Sequence, residues 1–222
     1  MKWFYSILIV LISGITLYSQ NDNRFNPFSL PPALQDDIWS VEFAPSFWMK
    51  QANAPTAHKL SFSAGLNYHY ELNFSPAKKF AIAIGVGYYY SSLSHLGTFS
   101  ADSSNTTLWN HTAPTDDLKY SRLNLHRINL PLEFRIKLNS SFKFYFGYQA
   151  SFVVGAKNRV KLNGEEFAFS KFNNLNRVQH GPRIRIGYRD FFVFSTVYLS
   201  NLFSSPSPVQ MQTVEIGISI GG

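Results

Sequence analysis

Arg127-Ile128-Asn129-Leu130-Pro131-Leu132-Glu133-Phe134-Arg135-Ile136-Lys137-Leu138 changes character at every step. Its even positions are Ile128, Leu130, Leu132, Phe134, Ile136 and Leu138; its odd positions are Arg127, Asn129, Pro131, Glu133, Arg135 and Lys137. Successive side chains of a β-strand point to opposite faces, so an extended chain here has one apolar face and one largely ionic face. A helix would mix the two sets. Pro131 removes one ladder donor while the alternation on either side continues, which predicts a local bulge at that point.

The same period of two recurs outward from this segment. Residues 142–157 set Phe142, Phe144, Phe146, Tyr148, Ala150, Phe152 and Val154 against Lys143, Tyr145, Gly147, Gln149 and Ser151. Residues 80–91 set Phe80, Ile82, Ile84, Val86, Tyr88 and Tyr90 against Ala81, Ala83, Gly85 and Gly87. Residues 60–72 set Leu60, Phe62, Ala64, Leu66, Tyr68 and Tyr70 against Ser61, Ser63, Gly65, Asn67, His69 and Glu71. Weaker alternation marks 39–49, with Glu42 on its polar face, 178–188, with Arg183 and Arg185, and 213–220, with Glu215. An eighth segment, 191–201, is apolar or aromatic on both faces, and its parity leaves the outward side open.

Strands of this kind suit either a soluble sandwich, which hides its apolar faces against each other, or a membrane barrel, which turns them to lipid. The segments run to about ten residues or more, the length a tilted membrane strand needs. Their polar faces combine Gly and Ala with Arg and Glu, as a narrow barrel packed with side chains requires. Connections alternate in length: 73–79, 139–140 and 189–190 are short, whereas 92–123 and 158–177 are long and polar. Short periplasmic turns and longer external loops are the habit of outer-membrane barrels. The expected fold is therefore all-β: an eight-stranded antiparallel transmembrane up-and-down β-barrel with a filled interior, spanning residues 39–222.

Composition agrees. Charged residues make up 15% of the chain and aromatics 17%, with 21 Phe and 12 Tyr, and so many rings find a place in lipid more readily than on an aqueous surface. The formal charge of +7 is scattered through alternating segments, which argues against nucleic acid as a partner. The chain has no cysteine, so disulfides, thiolate metal sites and a lipidated cysteine are excluded. Residues 1–19 open with Lys2, continue through an apolar run and end at Ser19; this reads as a cleaved secretory signal peptide. Residues 20–38, with Pro27, Pro31 and Pro32, read as an irregular periplasmic arm.

Parity places Glu42, Glu71, Arg127, Glu133, Arg135, Lys143, Arg183, Arg185 and Glu215 inside the barrel. Eight strands leave room only for side chains, so this set is read as a structural network of paired charges; an ion pathway is the alternative. Tyr68, Tyr70, Tyr88, Tyr90, Tyr148, Tyr188, Trp39 and Trp48 are assigned to the membrane–water girdle, although Trp48 has inward parity. Catalysis would need a nucleophile beside a base near the outer rim. His58, His95 and His111 have serines nearby and Asp116-Asp117 could meet a cation, but no Gly-x-Ser-x-Gly elbow or His-Glu-x-x-His pattern occurs. His69 and His126 are expected in the lumen or at the rim. No catalytic residue, cofactor or metal ligand is assigned.

Residues Ile128-Asn129-Leu130-Pro131-Leu132-Glu133-Phe134-Arg135 resemble the Ile-Pro-Leu strand of the small outer-membrane β-barrel family common in Bacteroidetes, the PorT-like barrels. Residues 145–154 look like that family's next strand, and Tyr198-Leu199-Ser200-Asn201-Leu202 resembles its penultimate one. The resemblance implies an outer-membrane location and permits an accessory role in a larger complex such as type IX secretion. The expected function is that of a non-enzymatic outer-membrane barrel, acting through its external loops or as a structural component, with outer-membrane lipid and possible complex subunits as partners. A complex subunit and a lipid-active barrel enzyme are the alternatives.

Overall fold

The computed structural model describes residues 38–49, 60–74, 79–101, 107–110, 118–138, 141–170, 172–204 and 211–221. The expected signal peptide, and the expected arm up to residue 37, lie outside the described residues.

Eleven strands follow one another: β1 (Trp39–Met49), β2 (Ser61–Asn73), β3 (Phe80–Ser94), β4 (Thr98–Ala101), β5 (Thr107–Asn110), β6 (Leu118–Lys137), β7 (Phe142–Leu162), β8 (Glu165–Phe169), β9 (Val178–Tyr188), β10 (Phe191–Val197) and β11 (Gln212–Gly221). Eight of them pair in the order β6-β3-β2-β1-β11-β10-β9-β7, and β6 pairs again with β7 to close the ring. All eight ladders are antiparallel. Closure gives every edge a partner, which a sheet in hydrocarbon requires. Strand β8 extends β7 beyond the ring, and β4 and β5 form a separate two-stranded ribbon.

Burial follows the period of two. In β9 and in most of β11 alternate residues are buried and exposed. The exposed set on the outer surface includes Val41, Phe43, Leu66, Ile84, Val86, Leu130, Leu132, Phe146, Ile186 and Ile218. These rows do not meet one another across stacked layers; they form the outside of the ring.

The strands reach further than the alternation suggests. Strand β3 runs to Ser94, β6 begins at Leu118 and β7 continues to Leu162, so much of the two expected loops, 92–123 and 158–177, is sheet. Asn163 and Gly164 have φ of 52° and 84°, the paired positive angles of the tight turn that joins β7 to β8. The expected bulge at Pro131 is corrected. Pro131 pairs in register with Gln149, whereas register shifts fall between Leu118 and Tyr120 and between His126 and Arg127. The missing N–H of Pro131 interrupts bridging to β3 between Leu132 and Asn129 without adding a residue.

At the end of the barrel with the long connections the interior is apolar. Leu93, Leu123, Leu125 and Val153 from the strands pack with Phe99, Phe172, Leu202, Phe203 and Met211 from the connections. Phe172 meets Phe99 edge-on at 5.5 Å and Phe169 at 4.9 Å. A bridge between Leu175 and Phe203 ties two connections together across this plug. Paired charges fill the half of the lumen nearer the short turns, and a small hydrophobic core fills the other.

Candidate functional site

The ionic half of the lumen is built by inward positions of six strands. Arg135 of β6 donates from Nη1 to Glu71 at 2.8 Å and from Nη2 to Glu133 at 2.9 Å. Lys137 donates to the other oxygen of Glu71 at 2.8 Å. Glu133 also accepts from Arg185 Nη1 at 3.2 Å and from Arg183 Nε at 3.4 Å, so three guanidiniums converge on one carboxylate. Nearer the plug, Arg183 pairs with Glu42, to which the Tyr89 hydroxyl also donates. Arg127 pairs with Glu215 at 2.5 Å, and Ser63 donates to that carboxylate at 2.7 Å.

Aromatic faces line the same cations. Arg135 lies 4.8 Å from the Tyr145 centroid, Arg183 4.8 Å from Phe194, Arg185 4.5 Å from Phe192 and Arg127 5.0 Å from Tyr198. A desolvated guanidinium over a ring gains stabilisation that its carboxylate partner alone would not supply. Gln149 links two levels, accepting from Arg183 at 2.9 Å and donating to the Tyr198 hydroxyl at 2.7 Å.

Of the nine interior residues expected from parity, eight are buried and joined in this network: Glu42, Glu71, Arg127, Glu133, Arg135, Arg183, Arg185 and Glu215. Lys143 is half-buried near the short-turn end, with its ammonium 5.7 Å from the Phe192 ring. Lys137, Tyr89, Tyr145, Tyr198, Gln149, Phe192 and Phe194 complete the network and were not assigned to it from sequence. Lys137 and Tyr145 carried the signal in their parity. Phe192 and Phe194 did not, because their own strand is apolar on both faces. Strand β10 turns Phe191 and Val193 outward and Phe192 and Phe194 inward, where its register sets Phe194 opposite Arg185.

The girdle assignment of Trp48 is corrected. Its Nε1 donates to the Ser94 carbonyl at 3.2 Å and its ring packs against the apolar plug, which can use an indole whose N–H has a partner. Trp39, Tyr68, Tyr70, Tyr88, Tyr148 and Tyr188 are exposed on the outer surface, and Tyr90 is half-buried against His126 at 5.3 Å.

His69 is buried in the lumen, 4.0 Å from Glu133, and His126 sits on the outer face against the Tyr88 hydroxyl at 2.5 Å. His95 is fully buried beyond the end of β3. Its Nε2 lies 3.0 Å from Asn158, and Ser121 Oγ lies 3.4 and 3.3 Å from its two ring nitrogens. Near-equal distances put that hydroxyl on neither nitrogen's lone-pair axis, and it donates to the Gly97 carbonyl at 2.7 Å. The cluster is a structural tie, lacking the alignment a nucleophile and base require. Burial lowers the His95 imidazole to about 4. His58, His111, Asp116 and Asp117 lie outside the described residues.

A closed ring with an apolar exterior and a desolvated ionic interior defines a membrane-spanning β-barrel. The chain belongs to the outer membrane protein beta-barrel domain family, whose profile matches residues 19–205. Among solved structures it is similar to Ail, the attachment invasion locus protein of Yersinia pestis, at 14% identity over 82% of this chain and 95% of that one, with a TM-score of 0.38. Comparison with curated proteins gives no match.

Proposed function

We propose that this outer-membrane barrel is non-enzymatic and acts through its cell-surface connections, contacting a partner outside the membrane. The observation that supports this reading is the filled interior. Paired charges occupy one half of the lumen and the apolar plug the other, so chemistry or transport along the axis would require both to rearrange. Recognition is then left to the connections, where a rigid scaffold usually carries it.

Gentle detergent purification after surface cross-linking tests the proposal. A partner is expected that is lost when the long connections are replaced by short turns in a barrel that keeps its heat-modifiable gel mobility. Capture that persists without those connections would refute the loop-based role. Co-purification with a large transport or secretion complex, held by the outer wall, would favour the accessory-subunit role that resemblance to PorT-like barrels permits. Hydrolysis of lipid by the purified barrel, abolished by His95→Ala, would overturn the non-enzymatic reading.

A further inference from the structure

Beyond the apolar belt, one side of the outer wall becomes basic. The outward positions of β6 run from Leu130 and Ile128 through His126 to Asn124, Arg122 and Tyr120, and those of β7 pass from Val154 to Lys157, Arg159 and Lys161. The register sets Arg122 directly opposite Arg159, Asn124 opposite Lys157 and Tyr120 opposite Lys161. Like charges facing each other across a ladder are destabilising, so this arrangement calls for an anion. Glu166 stands at the upper edge, opposite Lys161 and beside Tyr120. Among the described residues no carboxylate forms an ion pair with Arg122, Lys157 or Arg159. Between the two arginines a recess of about 360 Å³ opens outward, lined by Tyr90, Ser92, Tyr120, Arg122, Asn124 and Arg159.

Height above the membrane selects among anions. Arg122 lies six positions beyond Ile128, the last apolar outward residue of β6. At about 3.3 Å per residue and a tilt of about 40°, that is roughly 15 Å along the membrane normal. Lys157, level with Asn124, stands roughly 10 Å up by the same measure. A phospholipid phosphate sits at the foot of this range, whereas the phosphorylated sugars of an outer-leaflet glycolipid extend through it. Guanidiniums match phosphate oxygens two at a time, and Tyr90 and Tyr120 offer rings to sugar faces.

We propose that Arg122, Arg159 and Lys157 form a binding site on the barrel wall for the phosphorylated sugar headgroup of an outer-leaflet glycolipid. The inference deepens the proposed function and rests on its orientation, with the long connections at the cell surface. It does not need a protein partner, so partner capture and glycolipid binding succeed or fail separately.

The test uses the full chain folded in detergent micelles, heat-modifiable mobility as the check of fold, and lipopolysaccharide with a phosphorylated inner core as the probe. Native mass spectrometry is expected to find glycolipid retained by the wild-type barrel, with affinity reduced about tenfold or more by R122Q/R159Q. Lys79→Gln, at the short-turn end, is expected to leave binding unchanged. Equal retention by wild type and the double variant overturns the site, as does equal retention of phosphatase-treated glycolipid. Complete displacement by millimolar inorganic phosphate overturns the assignment to a lipid headgroup in favour of free phosphate.

Discussion

Glu133 receives Arg135, Arg183 and Arg185 on its two oxygens and is 1% exposed. Exchanging a whole buried ion pair for apolar residues is often neutral, but removing one partner leaves uncompensated charge and typically costs about 3–5 kcal/mol. Glu133→Gln, which leaves Arg185 without a carboxylate and takes one of two from Arg135 and Arg183, is expected to destabilise the barrel by about that amount in urea unfolding from lipid vesicles. On the other face of the same strand, Leu132→Arg exposes a charge to acyl chains and is expected to cost roughly 2–4 kcal/mol. The two losses differ in origin and are separable by lipid: thicker bilayers should aggravate Leu132→Arg and leave Glu133→Gln unchanged. An identical dependence on bilayer thickness would contradict the face assignment. Steric fit is as local as charge. A Cβ at Gly65 would stand 2.6 Å from the Tyr89 ring, so this glycine allows Tyr89 to reach Glu42.

Among the elements, β6 and β7 carry the most information. Each runs through the membrane and beyond it, and a bulge lets the outward parity of β7 switch from Val154 to Lys157. That switch was readable only in part, because Gly155 and Ala156 are too small to declare a face. The connection after β3 is held to these two strands by His95, whose imidazole meets Asn158 of β7 and whose backbone N–H donates to the Ser121 carbonyl of β6. With its imidazole held at about 4 against an ordinary 6.5, the folded connection binds His95 in the neutral form. The unfolded state gains the proton first, so the contribution is complete above pH 6.5, declines as pH falls towards 4 and is unchanged below that. The loss reaches roughly 3 kcal/mol at most. Hydrogen exchange in the 95–101 segment is therefore expected to accelerate between pH 6.5 and 4 after correction for intrinsic rates, and His95→Gln should remove that dependence. Retention of the full dependence in His95→Gln would assign it to another group.

At the scale of the molecule, the ionic half and the apolar plug close the lumen from both ends. In planar bilayers the purified barrel is expected to give no stable single-channel conductance, whereas a pore would give discrete, long-lived steps. Such steps in the wild type would show that the network and plug open together. Persistence of a closed lumen after Leu123→Ala and Phe203→Ala would place the seal in the charge network, and flickering currents would place it in the plug.

Period-two patterning is a local property, and it determined much of this protein without tertiary help. Chain geometry alone puts Ile128, Leu130 and Leu132 on one face and Arg127, Glu133 and Arg135 on the other. Repetition of that pattern then selects a closed membrane barrel and assigns the interior charges. Ring closure decided the rest. It brings Arg127 to Glu215 across 88 positions and Arg183 to Glu42 across 141, and it turns Phe192 and Phe194 inward because the neighbouring strand presents Arg183 and Arg185 there. It also gathers Phe99, Phe172 and Phe203 from polar connections into a plug. Pairings of this range depend on strand order and register, which no single segment contains.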